Sequence, residues 1–233
     1  MAIALGLFWS SIASATTLLS NGFESGNLCP WGEDQGAAIS TNPVHSGSYA
    51  LKMTAVEGGG QYLYSQSTLN LSTAYARFYL YVDTANTQGF VGVFVMGPAE
   101  ARLYFDGLGT VSLGVWNGYI NKQVDGWTSI NPRTWYMVEI KTVISPTEGV
   151  IEEKLNGAVI ASEYGINTGT DKVVLISPEG FSRGDKTEVD VYEDDFAVSD
   201  TDYPGVPDPN GEAEQSPLSL DAKGDQSPIN LMQ

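Results

Sequence analysis

The sequence comprises 233 residues, 42% of them hydrophobic, enough apolar surface to bury one core in a single folded domain. Its 11 Lys and Arg against 28 Asp and Glu give a formal net charge of -17 at pH 7, which argues against nucleic acid or an anionic membrane as partner, because both attract basic patches. The single cysteine, Cys29, excludes an internal disulfide, and only one histidine, His45, exists to activate its thiol, so Cys29 reads as a small buried hydrophobe.

Residues 1–19 form an apolar arm. The stretch MAIALGLFWSSIASA has the apolar run and the A-S-A end of a secretory signal over residues 1–15, but no Lys or Arg stands in front of it. Kept as an arm, Leu5, Leu7, Phe8, Trp9 and Ile12 need a neighbouring subunit to cover them. No other segment approaches the roughly 18 apolar residues that span a bilayer.

Residues 20–203 read as one strand after another. Ala74 to Val82, Phe90 to Met96 and Trp135 to Val143 are rich in aromatic and β-branched residues, which suit half-buried strands better than helices. Asp106-Gly107 and Asn156-Gly157 each sit between two such runs, and both pairs tolerate the positive φ that tight hairpins demand. In VDVYEDDF, strand alternation puts Asp190 and Tyr192 on one face and Val191 and Glu193 on the other. After Tyr203 the composition turns to Pro, Gly, Ser and acids, so residues 204–233 read as an acidic extended tail, either a disordered linker or an arm that orders on a neighbouring subunit.

NGFESG (21–26), Trp31, VHSGSYALKM (44–53), YARFYLYV (75–82), TWYMVEIKT (134–142), NGAVIAS (156–162) and YEDDFAVSD (192–200) follow one another in an order that resembles concanavalin A-like jelly rolls, as found in phage virion surface proteins and carbohydrate-binding modules. The resemblance implies an all-β, two-sheet antiparallel β-sandwich over residues 20–203. It also implies that Glu24, Asp194 and Asp195 come together and hold a structural calcium ion, whose shell of six to eight oxygens carbonyls or water would complete. The alternative is that these three are surface acids or turn caps.

Glycoside hydrolases need two carboxylates flanking one bond, and no E-x-D-x-x-E run occurs within an aromatic strand. The acids cluster instead at Glu152-Glu153 and between Glu188 and Asp195, while Arg77, Arg102, Arg133 and Lys141 are scattered. Neither a hydrolase nor a polysaccharide lyase is expected, and His45 reads as a turn residue. Carbohydrate or partner binding has better material in the Gly-rich segment carrying Trp116, Asn117, Tyr119, Asn121, Asp125 and Trp127, because aromatic rings edged by amides and carboxylates suit both sugars and subunit interfaces. The competing reading places Trp116 and Trp135 in the sandwich core.

The resulting expectation is a non-enzymatic virion structural protein. It would be a phage capsid decoration, cement or fibre component at the virion surface, whose arms bind neighbouring copies or other virion proteins and whose lectin-like domain faces outward toward cell-surface glycans. The alternative is a secreted carbohydrate-binding protein cleaved after Ala15.

Overall fold

The computed structural model describes residues 17–29, 31, 33–34, 36–57, 59–64, 69–84, 87–173, 176–182 and 188–207. The arm residues Leu5, Leu7, Phe8, Trp9 and Ile12 and the tail beyond residue 207 lie outside them. The described residues contain strands but no helix, so none is long and apolar enough to cross a membrane.

The strands are β1 (Thr17–Asn21), β2 (Glu33–Asp34), β3 (Ala38–Ser40), β4 (Ala50–Ala55), β5 (Gly60–Tyr64), β6 (Thr73–Val82), β7 (Gln88–Met96) and β8 (Ala99–Asp106), then β9 (Val111–Asn117), β10 (Lys122–Gln123), β11 (Thr128–Ile130), β12 (Tyr136–Val143), β13 (Gly149–Leu155), β14 (Ala158–Ile166), β15 (Ile176–Ser182) and β16 (Val189–Ser199). They pair antiparallel in two sheets. The first runs β14-β13-β12-β6-β16-β4-β3, with β1 beside β16; the second runs β10-β9-β8-β7-β15-β5-β2, with β11 beside β9. Chain ends meet in the first sheet, where Thr17 pairs with Ser199 and Asn21 with Phe196. This is the expected jelly-roll sandwich.

Alternation decides which side chains enter the core. In β6, Ala74, Ala76, Phe78, Leu80 and Val82 are buried between the sheets, while Tyr75, Tyr79 and Tyr81 on the other face are half-exposed. Ring contacts bridge the layers, Phe78 to Phe94 at 4.7 Å and Phe94 to Phe196 at 5.7 Å, and each such buried ring contributes about 2–3 kcal/mol of transfer free energy. Both expected hairpins form: Asp106-Gly107 joins β8 to β9, and Asn156-Gly157, with φ of 49° and 81°, joins β13 to β14.

Two local readings change. Cys29 is exposed, because Asn27 Oδ1 accepts its N–H at 2.9 Å in a surface turn. Trp135 precedes β12 and lies over the outer face of the first sheet, 5.3 Å from Tyr81 and 5.7 Å from His45, so it is not core.

The segment after β16 crosses the outer face of the first sheet. Tyr203 Oη donates to Glu152 at 2.8 Å, its ring meets Tyr75 at 5.1 Å, and Lys154 Nζ lies 3.4 Å from the ring centroid. Arg77 fastens this strap: Nη1 donates to the Gly205 carbonyl at 2.5 Å, while Nε and Nη2 donate to the Asp195 carbonyl at 3.1 and 2.9 Å.

Candidate functional site

The outer face of the second sheet carries a platform of rings. Register aligns Phe90, Tyr104 and Ser112 in one row across β7, β8 and β9; Gly92, Arg102 and Gly114 in the next; and Val95, Glu100 and Trp116 in a third. Trp127, from the segment between β10 and β11, completes it. Its indole lies over Gly114, where an added Cβ would come 2.8 Å from Cε3, so only glycine leaves room for the ring. Gly126 holds the preceding backbone at φ +127°, and a Cβ there would meet the Ile160 carbonyl at 2.2 Å. Phe90 and Tyr104 stand 4.9 Å apart, and Trp127 is 6.2 Å from the first and 6.3 Å from the second. The guanidinium carbon of Arg102 lies 4.3 Å from the centroid of the Trp116 ring, and Arg102 donates to both oxygens of Glu100, Nε at 2.9 Å and Nη2 at 3.0 Å.

Of the six residues expected to bind sugar or a partner, Trp116 and Trp127 share this face. Trp116 stays half-exposed outside the core. Asn117, Tyr119 and Asn121 stand at the β9–β10 turn, and Asp125 follows β10. Asn117 is buried, donating to the Asn167 carbonyl at 3.1 Å and accepting the Tyr119 N–H at 3.1 Å. Tyr119 is exposed beside Gly169, Asn121 takes φ +52° in the turn, and Asp125 is exposed near Lys122. Phe90, Tyr104, Arg102 and Glu100 escaped the sequence reading, although the every-second spacing of Glu100, Arg102 and Tyr104 was there to be read as one face.

The three expected calcium ligands surround the loop 45–49. Glu24 accepts the N–H groups of Ser48 and Tyr49, at 2.9 to 3.1 Å. Asp194 accepts those of His45 at 2.9 Å, Ser46 at 3.2 Å and Asp195 at 2.8 Å. Asp195 meets His45 Nδ1 at 2.6 Å and the Ser46 hydroxyl at 2.8 Å. Burial, then the charge of Asp195, push Asp194 up to about 7, against the three N–H donors that lower it. The lone pairs of these carboxylates face N–H and O–H donors where calcium requires oxygen ligands, and among the described residues no group of three or more His, Cys, Asp and Glu converges as a metal cage. The cluster as it stands clamps the loop 45–49.

A second set of rings occupies the outer face of the first sheet. His45 stacks on Tyr79 at 3.5 Å, Trp135 caps both His45 and Tyr81, and Tyr192 meets Tyr81 edge-on at 5.7 Å, with Lys52 paired to Asp190 at 2.7 Å alongside. Burial raises the phenols of Tyr79 and Tyr192, the opposite of what a proton-accepting phenolate needs.

No known sequence family matches the chain, and no curated protein does. Solved structures do. An endo-β-1,4-glucuronan lyase from the fungus Trichoderma reesei superposes with a TM-score of 0.58 at 14% identity, over 80% of this chain and 96% of that one. The cellulose-induced protein Cip1 gives 0.59 at 16% identity, over 78% and 97%. The binding domain of botulinum neurotoxin serotype C1 gives 0.52 at 10% identity, over 79% of this chain and 48% of that one. The first of these corrects the expectation that the chain is not an enzyme: its sandwich is shared with a polysaccharide lyase as well as with a binding domain, and a missing hydrolase motif does not separate the two. Two antiparallel sheets and these likenesses show that the chain folds as a jelly-roll β-sandwich.

Proposed function

We propose that the chain recognises a polysaccharide on the outer face of its second sheet. The observation that carries this reading is the seating of Trp127 over Gly114, beside Phe90 and Tyr104, with Trp116 on the same face. Sugar rings present C–H faces that pack on aromatic rings and hydroxyls that need polar partners at the edges, and this face offers both. Two glycines spent on fitting one indole against the sheet support a placed ring. Trp127→Ala is expected to weaken oligosaccharide binding about 30-fold in calorimetric titration, the loss of one aromatic anchor worth about 2 kcal/mol. Binding unchanged by that substitution would move the site elsewhere.

A second reading, cleavage of the bound chain, is favoured by Tyr104 and Arg102 standing two residues apart on the outer face of β8 and by the shared fold of the glucuronan lyase. β-Elimination removes the proton beside a uronate carboxylate and expels the glycosidic oxygen, so Tyr104, as the phenolate, would accept that proton and hand it to the departing oxygen, while Arg102 would neutralise the carboxylate. Incubation with uronate polymers and measurement of the ultraviolet absorbance of a new unsaturated end decides it. A particle surface enters the proposal as the place of action, supported by the acidic composition and the resemblance, and co-sedimentation with purified particles tests it.

A further inference from the structure

We infer that Glu100 makes this platform select uncharged sugars over uronates. The inference rests on the polysaccharide-binding reading above and names the ligand class of that site.

Arg102 is the one cation that the rows of the platform present, and the structure spends it. Its guanidinium meets Glu100 in a two-point pair, Nε to Oε1 at 2.9 Å and Nη2 to Oε2 at 3.0 Å, and its central carbon lies 4.3 Å from the centroid of the Trp116 ring. The side chains are 16% and 10% exposed, so the positive charge of Arg102 is already neutralised at close range by a carboxylate that water screens little. The other cation on the strands of this sheet, Lys122, is paired with Glu163 at 2.6 Å. Asp106 and Glu179 add further negative charge to the described strands. A uronate chain laid across Trp127 and Trp116 would bring carboxylates to a face whose cations, among the described residues of its strands, are already paired, and recruiting Arg102 would break its two-point pair with Glu100. A neutral pyranose chain meets no such penalty. Cleavage of uronates at this face would require the same pair to open.

The test is a glycan array carrying neutral oligosaccharides (β- and α-glucans, mannans, xylans, galactans) and uronate oligosaccharides (glucuronan, alginate, polygalacturonate), read with the full chain and with Glu100→Gln. The wild-type protein is expected to bind neutral chains at least 10-fold more tightly than any uronate, and Glu100→Gln, which frees the guanidinium while keeping the shape of the side chain, to gain at least 10-fold toward uronates. Wild-type binding of uronates equal to or above that of neutral chains overturns the inference and leaves the platform reading standing. No binding to any glycan overturns both. A folded Glu100→Gln protein, checked by its thermal melt, that gains nothing toward uronates removes Glu100 from its role. If that variant does not fold, the wild-type ranking alone decides.

Discussion

Glu153→Gln is expected to stabilise the protein by about 3 kcal/mol at pH 7 and to leave it unchanged near pH 4. Glu153 points from β13 into the core, fully buried, and neither of its carboxyl oxygens has a hydrogen-bond partner among the described residues. Burial alone pushes its pKa from 4.5 up to about 8. The folded chain therefore keeps the proton where the unfolded chain releases it. Below pH 4.5 both states hold the proton and the group costs nothing on this account. Between 4.5 and about 8 the unfolded state is favoured by ionisation, and at pH 7 the penalty is about 3 kcal/mol, at 1.36 kcal/mol per pH unit. Gln does not titrate and removes that slope. Chemical denaturation from pH 4 to pH 8 reads it directly, and parallel pH profiles for the two proteins would contradict the account. Glu193, buried in the core from β16 and also raised well above its ordinary value by burial, adds a slope of the same sign in both proteins and cancels in the comparison.

Asp194→Ala has the opposite expected effect, a loss of about 3 kcal/mol. Asp194 is fully buried at the point where β16 shifts register against β6, and its carboxylate receives the backbone N–H groups of His45, Ser46 and Asp195. Alanine leaves these donors without their acceptor, and a buried unpaired N–H costs about 1–3 kcal/mol. The loop 45–49 also carries His45 onto Tyr79, so loosening it should expose Tyr79 and Trp135. A fall in Tm of several degrees, with faster amide exchange confined to residues 45–49, checks this; a variant as stable as the parent would mean that Glu24 and Asp195 hold the loop without it.

Most of the fold was legible because its signals are local. Aromatic and β-branched residues marked β6, β7 and β12, and the Asp-Gly and Asn-Gly pairs marked two hairpins, since positive φ is a property of the turn residues themselves. The two faces of β16 were also read correctly, with Asp190 and Tyr192 outward and Val191 and Glu193 inward as far as the bulge at Asp195. Site geometry was less legible because it depends on which strands become neighbours. Trp135 opens an apolar strand yet lies outside, since its ring finds Tyr81 and His45 across strands distant in sequence. Trp127 gains its seat only because β9 presents a glycine beneath it, and Arg102 its clamp from a residue two positions away on β8. The composition of the 114–127 segment pointed to Trp116 and Trp127, which share the ring-bearing face, while Asn117, Tyr119 and Asn121 stand at the β9–β10 turn and Asp125 follows β10. Catalysis was not legible either way, because the same sandwich occurs in a polysaccharide lyase and in a binding domain, and neither the missing hydrolase run nor the scattered basic residues separates the two.

Two ring-bearing faces compete for a ligand, one on each sheet, and a single titration separates them. Nuclear magnetic resonance of the nitrogen-labelled protein follows the indole N–H signals of Trp116, Trp127 and Trp135 and the amide of Gly114 as a binding oligosaccharide is added. Shifts concentrated at Trp116, Trp127 and Gly114, with Trp135 unmoved, are the result predicted by a glycan platform on the second sheet. Shifts at Trp135 and the loop 45–49 with the Trp127 signal unchanged would contradict it and place the ligand on the first sheet.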